Sequence, residues 1–214
     1  MNDSTAARVI TEADHDWPAG FRDLDDPPAR MFVRGVLPLD AIAVIGSRWA
    51  NADACSFARA LSAALSMPIV AGLAPGIDEA AHNGALDAAQ PTVAYVGSGL
   101  AALEDPALAD AIIAGGGAIA SEYPPTLQAT EWTRMRRDRL QAAHARAVVL
   151  VVSEAEGGAM HTLRYAKALR RPRFVLERDA TGNAHAIAEG AFPVPWHVSG
   201  AAEQIRSFLL RNAE

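Results

Sequence analysis

Cysteine and lysine are almost missing from this sequence, which holds one of each, Cys55 and Lys167, among 214 residues. A single thiol excludes an internal disulfide and a cysteine-rich zinc site, and makes a reducing, cytoplasmic setting the default expectation. Long apolar runs are missing too, none approaching the roughly 18 residues that a membrane span requires. The first thirty residues carry Asp, Glu and Pro where a secretory signal needs a basic stretch and then an apolar one, so no signal is expected. The six histidines, His15, His82, His144, His161, His185 and His197, show no metal-ligand spacing. Neither Ser47 nor Ser98 has a neighbouring His or acid in a nucleophile-elbow context, so no catalytic residue, metal or cofactor is assigned.

What is present suits one folded domain. Half of the residues are hydrophobic, enough for a full core at this length. The net charge of −6 argues against a nucleic-acid partner, but the charge is segregated. Between Glu131 and Arg178 there are 11 Lys or Arg against 5 Asp or Glu, and almost all of these cations are guanidinium groups suited to bidentate phosphate contacts. Arginine bias and solvated helix faces explain the same segment equally well.

Short apolar runs alternate with Ala-rich helical stretches. Strands are expected at 41–45, 68–71, 92–96, 118–121, 147–152 and 174–176, with helices at 52–66, 76–89, 108–114, 134–143, 159–169 and 201–210. A proline-rich piece at 192–196 precedes the last helix. This alternation predicts an α/β fold, a doubly wound parallel sheet of Rossmann-like type, because each helical crossover returns the chain to the same sheet edge. Residues 1–40 are expected to pack on the core as a lead-in, with 41–214 forming the domain.

Four glycine-rich loops each follow a predicted strand and precede a predicted helix. They are Gly46-Ser47-Arg48, the run from Gly72 through Ala74, Pro75 and Gly76 to Asp78, then Gly97-Ser98-Gly99, and Glu156-Gly157-Gly158. In an open parallel sheet such loops gather at the carboxyl edge, where ligands bind. Glycine allows close backbone approach, and N–H groups at helix starts attract anions. Taken singly, each loop is also what any tight strand-to-helix turn requires. Gly97 to Ala102 fits the G-x-G-x-x-A fingerprint, with Glu122 placed as a ribose-binding acid, so a dinucleotide is one alternative. That fingerprint belongs on the first strand, whereas here it follows the third. Asp78 suits a helix dipole or a loop brace, and His82, four residues later, shares its helix face.

Ordered motifs now point to a family. The lead-in from Trp17-Pro18 through Phe21 to Leu24, Asp26-Pro27-Pro28 and Phe32 to Gly35 resembles that of the DNA-processing protein A family, DprA or Smf. Ile45 to Arg48 is similar to the family's G-S-R loop, Gly72 to Asp78 to G-L-A-x-G-I-D, and Gly97 to Leu100 to G-S-G. Ser121 to Pro125 resembles S-E-[FY]-P-P, and Arg137-Asp138-Arg139 stands at R-N-R. The likeness covers about residues 16–176. It implies a Rossmann-like domain that binds single-stranded DNA, dimerises and hands the strand to a RecA-type recombinase during natural transformation, without catalytic chemistry. Arg48, Arg134, Arg137 and Arg139, the loop N–H groups and Thr162 would then hold phosphates, with Tyr123 or Trp132 stacking a base. This chain departs from the family at Pro75, where an arginine is usual, at Asp138 in place of Asn, at Arg134-Met135 in place of F-P, and at Gly157-Gly158-Ala159 in place of S-G-S. No counterpart to the family's accessory helical and winged-helix domains is expected in this sequence. The departures leave a nucleotide-sensing pocket as an alternative, and a phosphoribohydrolase-like activity as a third reading.

Overall fold

Continuous apolar runs become strands covered on both faces. The computed structural model of the chain describes residues 7–212. Its strands are β1 (Arg8–Ile10), β2 (Met31–Gly35), β3 (Ile42–Ile45), β4 (Ile69–Ala71), β5 (Thr92–Tyr95), β6 (Ala118–Ser121), β7 (Ala147–Leu150), β8 (Arg173–Leu176) and β9 (Phe192–Val194). They form one sheet in the order β1-β2-β6-β5-β4-β3-β7-β8-β9. From β6 across to β9 every pairing is parallel, whereas β2 pairs antiparallel with β6 and with β1. The doubly wound α/β sheet expected from the alternation is therefore present, extended at one edge by two antiparallel strands.

The helices are α1 (Ala52–Leu65), α2 (Ile77–Asp87), α3 (Pro106–Ala114), α4 (Glu131–His144), α5 (Ala159–Ala168), α6 (Thr181–Ala188) and α7 (Val198–Arg211). Alternate strand residues decide which layer each covers. Ile42, Val44, Val149 and Phe174 pack with Phe57, Leu61, Ile77 and Ile205, placing α1, α2 and α7 on one face. Ala43, Ile45, Val148 and Val175 pack with Leu140, Met160, Leu163 and Ala186, placing α4, α5 and α6 on the other. Burying each large aliphatic side chain contributes roughly 1.5–3 kcal/mol. No helix among the described residues is long and apolar enough to cross a membrane.

Four parts of the chain escape the apolar pattern. The lead-in supplies β1, β2 and a 3-10 turn (Ala19–Asp23), and Phe21 sets its ring edge-on to Tyr95, with centroids 6.0 Å apart. The proline-rich piece forms β9, an edge strand, where proline is tolerated. Helix α6 has little apolar periodicity and is held by polar contacts. Asn183 Oδ1 accepts from Ser153 N at 3.0 Å, and its Nδ2 donates to Leu176 O at 2.8 Å. Helix α4 starts three residues before its apolar signal because Thr130 and Thr133 form a reciprocal capping box.

Candidate functional site

The chain leaves β3 and winds outward through β4, β5 and β6, then α4 carries it back past β3 to β7 on the opposite side. Crossovers therefore diverge between β3 and β7, and the crevice beyond their carboxyl ends is left open. A cleft of about 510 Å3 lies there, within the range of small-ligand sites. The loop after β3 contributes Gly46, Ser47, Arg48 and Trp49, and the loop after β4 contributes Ala74 and Asp78. Gly157, Gly158 and Thr162 line it from the start of α5, while α4 provides Arg134, Met135, Arg137, Asp138 and Gln141. Gly97 and Ser98 line a smaller adjoining pocket together with Arg48, Ala74, Arg134 and Arg137, so the third loop borders the same region.

Close packing dictates several of the glycines. A Cβ on Gly72 would lie 2.3 Å from Arg137 Nη1 and 2.5 Å from Asp78 Oδ2. Gly76 has φ +84°, and a Cβ there would lie 2.5 Å from Ser47 O, so only glycine lets the second loop close against the first. Gly158 differs, since a Cβ there would meet nothing within 4 Å. Helix α5 begins at Gly158 without a side-chain cap, so no side chain claims its first N–H groups and they suit an anion.

Arg137 is the central clamp. It is buried, donates from Nη1 to Tyr95 O and from Nε to Asp138 Oδ1 at 3.1 Å, and abuts Gly72. With the Gln141 amide oxygen turned toward it, Gln141 accepts from Arg137 Nη1 and from Gly72 N, each at 3.0 Å. Burial pushes the Asp78 carboxyl up to about 6, against the opposing pull of Arg137 and Arg48 and of N–H groups from Ala74 and Gly72. Those N–H contacts make Asp78 the brace of its own loop, although one face of the residue remains open to the cleft. Burial likewise pushes Asp138 up to about 7, with Arg137 opposing and Asp78 adding to the rise. His82 is fully buried, with Nε2 2.6 Å from Gly72 O and Nδ1 2.7 Å from Thr92 Oγ1. Burial holds it down to about 4, so it is a neutral tie beneath the loop and no acid–base partner of Asp78.

Five of the expected site residues lie elsewhere. Arg139 is buried, donating to Glu122 at 2.9 and 2.6 Å and to Asp26 O at 3.1 Å. Two residues along an α-helix turn the side chain by about 200°, so Arg137 and Arg139 cannot face one cleft. Glu122 is occupied by that pair, which removes it as a ribose acid. Gly99 donates its N–H to Leu127 O at 2.9 Å, and a Cβ on it would lie 1.9 Å from Pro124 O. The G-S-G loop and the S-E-Y-P-P turn are thus packing partners, tied also by Ser121 Oγ donating to Ser98 O at 2.5 Å. That contact accounts for the dinucleotide-like glycines. Neither Tyr123 nor Trp132 lines the cleft, and Arg136 lies over the Trp132 ring at 5.4 Å. Thr162 is buried at the back, 3.4 Å from the Gln141 amide.

The basic segment is also less basic than its composition. Of its cations, Arg134, Arg136, Arg137, Arg139, Lys167, Arg171 and Arg178 each form an ion pair with a carboxylate. The cleft itself is lined by Arg48, Arg134 and Arg137 and by the acids Asp78, Glu131, Asp138, Glu154 and Glu156. Arg48 is exposed and forms no ion pair among the described residues. Trp49, which the motif reading passed over, is 89% exposed at the rim. Its signal was its place directly after G-S-R, where a solvent-facing indole has no packing reason to be.

A switch-point cleft bordered by glycine loops, with an exposed arginine and an uncapped helix start, marks the chain as a Rossmann-like protein with a candidate ligand cleft. The profile of the DNA recombination-mediator protein A family matches residues 8–206, and the chain belongs to that family. It is 34% identical over 201 residues to a putative DNA processing protein DprA of Mycobacterium tuberculosis, a match covering 84% of this chain and 51% of that one. The chain spans about half the length of the first curated relatives it matches. An X-ray structure of DNA processing protein A from Streptococcus pneumoniae superposes with a TM-score of 0.83 at 28% identity, covering 92% of this chain and 73% of the other. A structure of DNA processing protein A from Helicobacter pylori, described for its single-stranded DNA binding mode, superposes with a TM-score of 0.81 at 23% identity over 96% of each chain.

Proposed function

We propose that this chain binds single-stranded DNA in the switch-point cleft and serves DNA processing. The observation that carries this reading is the convergence of three glycine loops, Arg48 and the uncapped start of α5 on one cleft, in a chain of the recombination-mediator family. The H. pylori relative described for its single-stranded DNA binding mode has the same fold, which supports the choice of ligand. Arg48 holds a backbone phosphate, the N–H groups at Gly158 and Ala159 hold a second, and Trp49 stacks a base. The acids along the cleft limit how many phosphates it takes and favour a short footprint. A role in transformation, a RecA-type recombinase partner, a homodimer and a cytoplasmic setting belong to the reading through the family alone.

Titration of a fluorescently labelled oligo-dT, followed by anisotropy at about 50 mM salt, tests it. Saturable binding that Trp49→Ala weakens by about tenfold is expected, since stacking of one base is worth roughly 1–3 kcal/mol. Trp49 is exposed, so this substitution leaves the melting temperature unchanged. Absence of binding to oligo-dT at low salt defeats the proposal.

A further inference from the structure

Asp138 occupies an unusual place for a carboxylate in a site meant for a polyanion. It lies on α4 facing the cleft, only 8% exposed, and its one hydrogen-bonded neighbour among the described residues is Arg137, which donates to Oδ1. Oδ2 has no hydrogen-bond partner there, yet it is not sealed from solvent. Met135, one helical turn earlier, and Trp49 bring two large apolar side chains to the same cleft from different elements. The cleft therefore combines a stacking surface, a cation at its mouth and a carboxylate deep inside. A phosphate has no use for the last of these, whereas a nucleobase edge does.

An ionised carboxylate only accepts hydrogen bonds, so it selects bases by their donors. Adenine and cytosine each present one amino group beside a ring acceptor, and thymine presents one N–H between two carbonyls. Guanine alone among the DNA bases offers two adjacent donors, N1–H and the 2-amino group. Resting on the reading of the cleft as a single-strand site, we propose that Asp138 reads one base of the bound strand and makes the cleft prefer guanine, with Trp49 stacking that base and Arg48 holding its phosphate. Recognition of unstacked bases by their Watson–Crick edges is the usual route to sequence preference on single strands.

The test compares labelled 15-mers of thymidine carrying one central dG, inosine, dA or dC, at pH 8, where Asp138 is mostly ionised. A single guanine avoids quadruplexes. The dG strand is expected to bind about tenfold tighter than the all-thymidine strand, and inosine, which lacks the 2-amino group, to lose most of that gain. In Asp138→Asn the dG-to-dT affinity ratio falls to about one while binding to the thymidine strand tightens, because a negative charge leaves the cleft. Trp49→Ala weakens every strand by a similar factor. Equal affinity for all strands in the parent protein overturns the inference and leaves DNA binding standing. A guanine preference that survives Asp138→Asn, or that inosine shares in full, also overturns it. Failure of every strand to bind removes the single-strand reading itself.

Discussion

Salt dependence gives the sharpest test of how this cleft holds a strand, because the structure fixes how many cations are free to act. Each phosphate neutralised on a single strand contributes about −0.7 to the slope of log K against log salt. Of the three arginines that line the cleft, Arg137 is paired with Asp138 and locked beneath the second glycine loop. That leaves Arg48, together with Arg134, whose partner Glu104 is half exposed and readily displaced. Two contacts give a slope of about −1.4, a loss of only about sevenfold in affinity between about 50 and 200 mM salt. Arg48→Ala should halve the slope to about −0.7 and weaken binding similarly for every sequence. Anisotropy titrations at four salt concentrations measure both quantities. A slope of about −4 or steeper in the parent, or one unchanged in Arg48→Ala, refutes the reasoning and moves the interface to another surface.

Other outcomes follow from the same contacts. Arg139→Ala removes the two shortest contacts of the Glu122 carboxylate and leaves it only Arg136 at 3.4 Å, and should cost about 1.5–3 kcal/mol in urea unfolding without altering the salt slope. In Gly84→Ala a substitution that ordinarily strengthens a helix by about 1 kcal/mol should instead destabilise, because the new Cβ would lie 2.0 Å from Arg59 O where α1 crosses α2. Asp138, raised to about 7 from an ordinary 3.8, takes up a proton on folding. Its contribution is complete below the ordinary value and drains away as pH climbs to about 7, so Asp138→Asn should gain on the parent progressively across that window. Parallel pH–stability curves for the two proteins would count against that account.

The apolar runs were sufficient to place the seven-strand parallel body except β9, since continuous burial is written directly into β3, β4, β5 and β7. They could not announce β1, only three residues long, or β2, where Arg34 breaks the apolar run, both on an antiparallel edge, nor α6, which Asn183 secures through polar contacts. At the site, the loops at Gly46, Gly72 and Gly157 were legible as a group because topology alone delivers them to one rim. Helical periodicity already separates Arg139 from the cleft-facing Arg137. Once residues 134–143 are taken as helical, positions 137 and 139 fall on opposite sides. Pairing is the part that composition hides. Eleven cations within one stretch of sequence look like a basic surface until Asp23, Asp26, Asp53, Glu104, Glu122 and Glu189, all of them outside that segment, arrive by folding to neutralise six of them.

The contrast between Gly72 and Gly158 divides the cleft into two walls with different capacities for change. On the wall at Gly72 even a methyl group collides with the Arg137 guanidinium and the Asp78 carboxylate, so any alteration propagates into α4 and the start of α2 at once. On the wall at Gly158 the backbone is ordinary right-handed helix with φ −55°, and open space lies where a side chain would go. New ligand contacts can be grafted there at little structural cost, so divergence in what this fold grips should accumulate at the mouth of α5 while the floor stays constant.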